Sequence, residues 1–117
     1  MGDTIEVSRD VFEPISELVK LGLYKDEKDA LRSLVLERAT EKIRYFDARI
    51  SEMRSRYNMS FEAFKRRIEE RQGEEVFEEW DDFIIWESYE SARLRWASVD
   101  ERMRLQNIFR ALENNVS

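Results

Sequence analysis

Apolar residues along this chain recur mainly at the spacing of helices. The longest such pattern lies between Asp29 and Tyr57, a stretch of 29 residues without Gly or Pro. In its later part, apolar positions alternate at intervals of four and three, the spacing with which two helices pack together. These positions are Ala39, Ile43, Phe46, Ile50, Met53 and Tyr57. A helix of this length measures about 40 Å and a compact domain of this size roughly 27 Å. We therefore expect a second segment or a second chain to cover the far end.

The N-terminal residues 4–8 alternate between polar and apolar side chains, which predicts one short strand. No second strand pattern follows, and a lone strand would leave its backbone groups unpaired. We expect this strand to pair antiparallel with the same strand of a second copy. The alternative is a frayed N-terminal segment.

A short helix is predicted to begin at Asp10 or Glu13 and to end at Leu21. Pro14 fits only the first turn of such a helix, because it lacks a backbone N–H. Gly22 follows the helix, as glycine commonly does, because it adopts a left-handed conformation without penalty.

Capping residues predict where the later helices begin. Asp26 is the predicted N-cap of the long helix, and Ser60 that of a helix that ends near Gly73 and folds back over the long one. A fourth helical segment, 76–96, combines aromatic with acidic residues. Ser98 is predicted to cap a final amphipathic helix.

The first third of the chain, about residues 4–38, resembles the ribbon-helix-helix family, and most closely its prokaryotic antitoxins and small repressors. The segments that carry the resemblance are Ile5–Val7, Ile15–Val19, Gly22–Lys25 and Asp29–Val35. In that family two chains pair their N-terminal strands into a ribbon that enters the DNA major groove. The resemblance implies a homodimer with dimerisation residues Ile5, Val7, Leu18, Leu31, Leu34 and Val35. It also implies that Thr4, Glu6 and Ser8 contact operator DNA.

Two features depart from the family's DNA-binding pattern. Glu6 would be repelled by phosphates, although its carboxylate could accept a hydrogen bond from cytosine. Asp26 and Glu27 lie beside the start of the long helix, where the family binds a phosphate, and their charges already occupy its positive potential. Both retention and loss of DNA binding therefore stay open.

Charge is distributed unevenly between the two halves of the chain. The chain has 117 residues with a net charge of −6, and residues 59–117 contain 9 basic against 14 acidic side chains. Such a segment would repel nucleic acid and favours a basic protein as its partner. The predicted partner-binding residues are Phe77, Trp80, Phe83, Ile84, Trp86, Tyr89 and Trp96. The alternative is that these side chains form the core.

Catalytic and metal chemistry is not expected. Cys and His are absent, and the chain has no glycine-rich phosphate loop. The pairs Glu75/Glu79 and Glu78/Asp82 have a spacing that could hold a metal, but no histidine or clearly opposed pair accompanies them. We therefore predict no enzyme activity, no cofactor and no metal. Without a long apolar run or a signal-peptide pattern, a cytoplasmic protein is expected.

Together these patterns predict a mainly α-helical homodimer. Residues 1–57 would form a ribbon-helix-helix-like dimerisation module with an extended second helix, and residues 58–117 an acidic, aromatic-rich partner-binding region. If the resemblance holds, the protein is an antitoxin of a prokaryotic toxin–antitoxin module that neutralises a basic toxin through its C-terminal helices and represses its own operon. The alternatives are a transcriptional regulator without a toxin, and a structural helical bundle whose aromatic side chains are all internal.

Overall fold

Two long antiparallel helices form the body of the molecule, whose computed structural model describes residues 5–71 and 76–115. The described residues form four helices: α1 Arg9–Lys20, α2 Glu27–Tyr57, α3 Phe61–Glu70 and α4 Phe77–Asn115. Tyr57 contacts Asp82 at one end of the α2–α4 pair, and Asp26 contacts Arg110 at the other. Helix α1 packs on α2, and α3 packs on α4. Because α2 and α4 are long, with 31 and 39 residues, the molecule is elongated, with extents of 64 × 36 × 27 Å.

The predicted N-terminal strand is absent from the described residues, so the ribbon-helix-helix fold class is wrong, although the mainly α-helical part is right. Residues 5–8 belong to no helix or strand, and Thr4 lies outside the described residues. A strand needs a neighbour for its backbone groups, and no other described segment provides one. Ser8 instead precedes α1, and its carbonyl accepts a hydrogen bond from the Phe12 N–H at 3.0 Å.

The first helix begins earlier than predicted, at Arg9, so Pro14 is its sixth residue rather than part of the first turn. The cost is one backbone hydrogen bond that proline cannot donate. The predicted glycine turn is confirmed, because Gly22 has a φ of 80°. The Leu23 N–H then donates to the Leu18 carbonyl at 3.2 Å and closes the turn.

The long helix α2 confirms the predicted cap and apolar stripe. The Asp26 carboxylate accepts a hydrogen bond from the Asp29 N–H at 2.7 Å. Three of the six stripe positions are buried and three half-buried. The helix ends at Asn58, which has a left-handed φ of 53°. The stripe packs mainly against α4, so a second chain is not needed to bury it.

The core lies where α2, α3 and α4 meet. Ser60 caps α3 as predicted, because its hydroxyl accepts a hydrogen bond from the Ala63 N–H at 3.2 Å. The cluster of buried core side chains consists of Ile50, Met53, Phe64, Ile68 and Trp86. The Phe64 ring centroid lies 4.2 Å from that of Tyr57 and 5.3 Å from that of Trp86. The far end of α2 is therefore covered by the chain's own later helices.

The last helix is continuous, and the predicted new start at Ser98 is wrong. α4 runs for 39 residues, and neither Gly nor Pro occurs in it. Within it, Arg104 Nε donates to the Asp100 carboxylate at 2.9 Å, an ordinary pair one turn apart. Because a Ser can cap only where the backbone leaves the helix, the capping pattern has no effect here.

Candidate protein-interaction surfaces

The structure divides the predicted partner-binding residues between the core and the surface. Trp86 is fully buried, with its ring 5.5 Å from that of Phe61 and 5.3 Å from that of Phe64. Phe83, Tyr89 and Trp96 are half-buried. These four side chains are committed wholly or partly to packing within the chain.

Phe77, Trp80 and Ile84 remain exposed, by 75%, 40% and 60%. Their spacing of three and four residues places them on one face of α4, opposite the face that carries Asp82 and Trp86. We call these three residues the Trp80 stripe. Large apolar side chains aligned on an exposed face are typical of an interaction surface.

The Trp80 stripe is supported from beneath by the core. The Trp80 ring meets Phe83 edge-to-face with centroids 6.1 Å apart, and Phe83 stacks on Phe61 at 5.7 Å. These aromatic contacts limit the freedom of the indole before any partner binds, and less entropy is then lost on binding.

Two acidic residues of α4 turn inward rather than toward solvent. Glu79, although it is buried, pairs with both Arg67 and Arg71. Asp82, which is also buried, accepts a hydrogen bond from Arg56 Nη1 at 2.9 Å. The sequence did not single out these ion pairs: Arg67 lies on α3, whereas Arg71 follows the end of that helix with an extended backbone.

Tyr57 completes the Asp82 site by donating its hydroxyl hydrogen bond to the carboxylate. Burial raises the pKa of Tyr57 well above its usual value, and the hydrogen bond to Asp82 adds to the shift. The pKa of Arg56 is likewise raised by its hydrogen bond to Asp82. The C-terminal end of α2 is thereby tied to α4 next to the core.

Three other described carboxylates around the Trp80 stripe face solvent. Glu78, Asp81 and Glu87 are exposed, and none forms an ion pair with a residue that the structure describes. They give the stripe a negative border. Such a border attracts basic partners and repels acidic ones.

A second set of exposed apolar side chains lies within residues 5–35. Five of the six predicted dimerisation residues are exposed and Leu18 is half-buried; the most exposed, Ile5, is 85% exposed. α1 contains no buried residue. We call the exposed set the N-terminal surface: Ile5, Val7, Val11, Phe12, Leu21, Leu23, Leu31, Leu34 and Val35. Although α1 packs on α2, this contact leaves much of the apolar surface of α1 exposed to solvent.

The predicted DNA-binding residues do not form a ribbon in the described part of the chain. Glu6 and Ser8 are exposed and outside any strand. At the start of α2, the Asp26 carboxylate caps the helix and pairs with Arg110 at 2.8 Å. Its hydrogen bond to the Asp29 backbone lowers the pKa of Asp26. The chain's own carboxylate thus occupies the N-terminus of α2, where an anion would otherwise bind.

Over residues 5–71 and 76–115, no cluster of three or more acidic side chains is placed to hold a metal ion, and Glu75 lies outside this range. None of the four helices is long and apolar enough to cross a membrane. Comparison with protein-family models, with curated proteins and with solved structures finds no match.

Proposed function

We propose that this protein acts by binding another protein, a basic one, through the Trp80 stripe, and that it does so as a homodimer. The observation that carries the proposal is the alignment of Phe77, Trp80 and Ile84 on the solvent side of α4. Helix α4 already buries its opposite face against α2 and α3, so the stripe is not needed for that packing.

The apolar contact of the Trp80 stripe contributes substantially to recognition. Covering these three partly exposed side chains is worth roughly 3 to 5 kcal/mol at the usual value per buried side chain. An exposed tryptophan at the centre of such a patch is the residue type that most often dominates an interface. The acidic border adds steering and selectivity rather than most of the affinity.

Dimerisation is supported by the N-terminal surface. The exposed fractions of its nine side chains amount to about five fully exposed side chains, or roughly 300 to 600 Å² of apolar area. A standard interface buries about 800 Å² per partner, of which somewhat more than half is apolar. Residues 5–38 carry six basic and eight acidic side chains, so a second copy meets little repulsion.

The more specific functions stay predictions. A toxin is the partner class that the family resemblance implies, and neutralisation would follow if the Trp80 stripe covered its active site. Operon repression through Thr4, Glu6 and Ser8 also stays a prediction. It was based on a strand that the described residues do not form. The cytoplasm is the proposed compartment, since a chain without Cys has no disulfides to form.

The test is co-expression with the product of the neighbouring gene, followed by co-purification on a tag. Wild type is compared with Trp80→Ala and Ile84→Ser. Leu94→Ser is the matched control, because Leu94 is a 67% exposed apolar residue of the same helix outside the stripe. We expect the two stripe variants to weaken binding by roughly 30-fold each, as for a hot-spot residue, and the control to bind normally.

Two further readouts define the partner. Binding should weaken as salt is raised if the acidic border contributes, and relief of growth arrest on co-expression would identify the partner as a toxin. Equal retention of a partner by the wild type and both stripe variants would overturn the proposal. A protein that retains no partner at all would favour the structural-bundle alternative.

A further inference from the structure

A third apolar stretch lies at the C-terminal end of α4. Its four members recur at i, i+3, i+4 and i+7 and are between 45% and 61% exposed. We call it the C-terminal stripe: Leu105, Ile108, Phe109 and Leu112. The side of α4 that contacts α2 carries Gln106, which accepts from Arg32 Nε at 3.0 Å, and Arg110, which binds Asp26. The stripe is thus about half exposed, and on one side Phe109 and Glu113 border α2, where they line a surface pocket with Lys28 and Arg32.

Two opposite charges flank the C-terminal stripe. Arg102 and Glu113 are eleven residues apart, slightly more than three helical turns, so they lie along the same edge of the helix. Both are exposed, and neither forms an ion pair with another described residue. Their midpoint falls between Asn107 and Ile108, within the stripe.

We propose that the C-terminal stripe binds the same stripe of a second copy of this chain, with the two helices antiparallel. A two-fold axis between Asn107 and Ile108 brings Arg102 of each copy opposite Glu113 of the other. Leu105 then lies against the partner's Ile108 and Leu112. The apolar side chains of the two stripes then face each other, and Arg102 and Glu113 are paired, while the exposed Glu101 lies beside Leu105 at the edge of the contact.

The charge arrangement selects this occupant over others. A two-fold interface must be complementary to itself, and opposite charges placed symmetrically about a stripe meet that condition. Parallel pairing would place each Arg102 beside its equivalent and repel. A uniformly basic or acidic partner would be repelled by one of the two charges.

The size of the stripe sets the strength of the association. Its four side chains expose the equivalent of about two complete ones, roughly 130 to 260 Å² per chain, well below a standard interface. Self-association through this surface is therefore weak and depends on concentration. It uses a different helix from those that carry the N-terminal surface.

Sedimentation equilibrium of the full chain at low salt, from about 10 to 500 µM, tests the proposal. Ile108→Ser should weaken the concentration-dependent step about tenfold or more, whereas Leu94→Ser, the matched control on the same helix, should leave it unchanged. Leu34→Ser changes the N-terminal surface alone. Comparing it with Ile108→Ser therefore distinguishes loss of the dimer formed through the N-terminal surface from loss of association through the C-terminal stripe. Circular dichroism confirms that each variant is folded.

A charge exchange tests the antiparallel arrangement directly. Arg102→Glu alone and Glu113→Arg alone should each weaken association, because each creates two like-charge contacts. An equimolar mixture of the two variants should restore it, because each chain supplies the charge that the other lost. Association that is insensitive to Ile108→Ser, or a mixture no better than its components, would overturn the proposal.

Discussion

Two tryptophans six residues apart on α4 differ in what they contact, and replacing each by alanine should separate folding from binding. Trp86 is fully enclosed by Tyr57, Phe61 and Phe64. Trp80 is 40% exposed and meets a single aromatic ring, that of Phe83. Trp86→Ala should therefore mainly lower the free energy of unfolding, and Trp80→Ala should mainly weaken partner binding.

The expected cost of Trp86→Ala follows from burial and ring contacts. Truncation of a buried tryptophan costs about 3 to 5 kcal/mol, and the loss of three aromatic neighbours favours the upper part of that range. A chain of this size has a total stability of roughly 6 to 18 kcal/mol. The variant should lose roughly a quarter or more of its stability, which lowers Tm by about 10 to 25 °C. Trp80→Ala, which loses one edge-to-face contact, should cost about 1 kcal/mol.

Urea unfolding followed by far-UV circular dichroism measures both values, provided that the slope is the same as for wild type. Trp86→Phe is the control for a specific role of the indole, because it keeps a ring in the cluster and should recover much of the loss. A cost below about 1 kcal/mol for Trp86→Ala, or an equal cost for Trp80→Ala, would refute the assignment of one residue to the core and the other to the surface.

Two further predictions concern a turn and a tyrosine. Gly22→Ala should destabilise the protein by about 1 kcal/mol, because the residue has a φ of +80°. An added Cβ would meet no atom within 4 Å, so the cost comes from the backbone conformation alone. Thermal unfolding measures this cost. The raised pKa of Tyr57 means that its contribution to stability is complete below its ordinary value of 10.0 and is lost as the pH rises further. Unfolding across this alkaline range should show the loss in wild type and not in Tyr57→Phe.

The parts of the fold that the sequence predicted correctly are those that depend on local information. The stripe from Ala39 to Tyr57 has a helical period and contains no Gly or Pro, so a helix there has no competing structure. The caps at Asp26 and Ser60 and the turn at Gly22 depend on residues within four positions of one another. Such interactions are the same in almost any fold.

The incorrect predictions depend on distant or absent partners. Alternation over residues 4–8 indicates a strand, but a strand forms only where another backbone is available, and Ser8 instead precedes a helix. The capping pattern at Ser98 occurs within a helix that continues. Nothing local in the sequence distinguishes Glu79 and Asp82, which face arginines on α2 and α3, from the solvent-facing Glu78 and Asp81.

The outer face of α4 connects the two proposals. The Trp80 stripe and the C-terminal stripe lie on one helix, and Trp80 is about 41 Å from the midpoint between Asn107 and Ile108 at 1.5 Å per residue. In an antiparallel pair, the two Trp80 stripes would point to opposite ends, about 80 Å apart. One partner molecule of ordinary size could not reach both, so each stripe binds independently. An extended or repeating partner could bridge them and gain avidity, whereas a variant that lacks the Arg102–Glu113 contacts would keep the affinity of a single site.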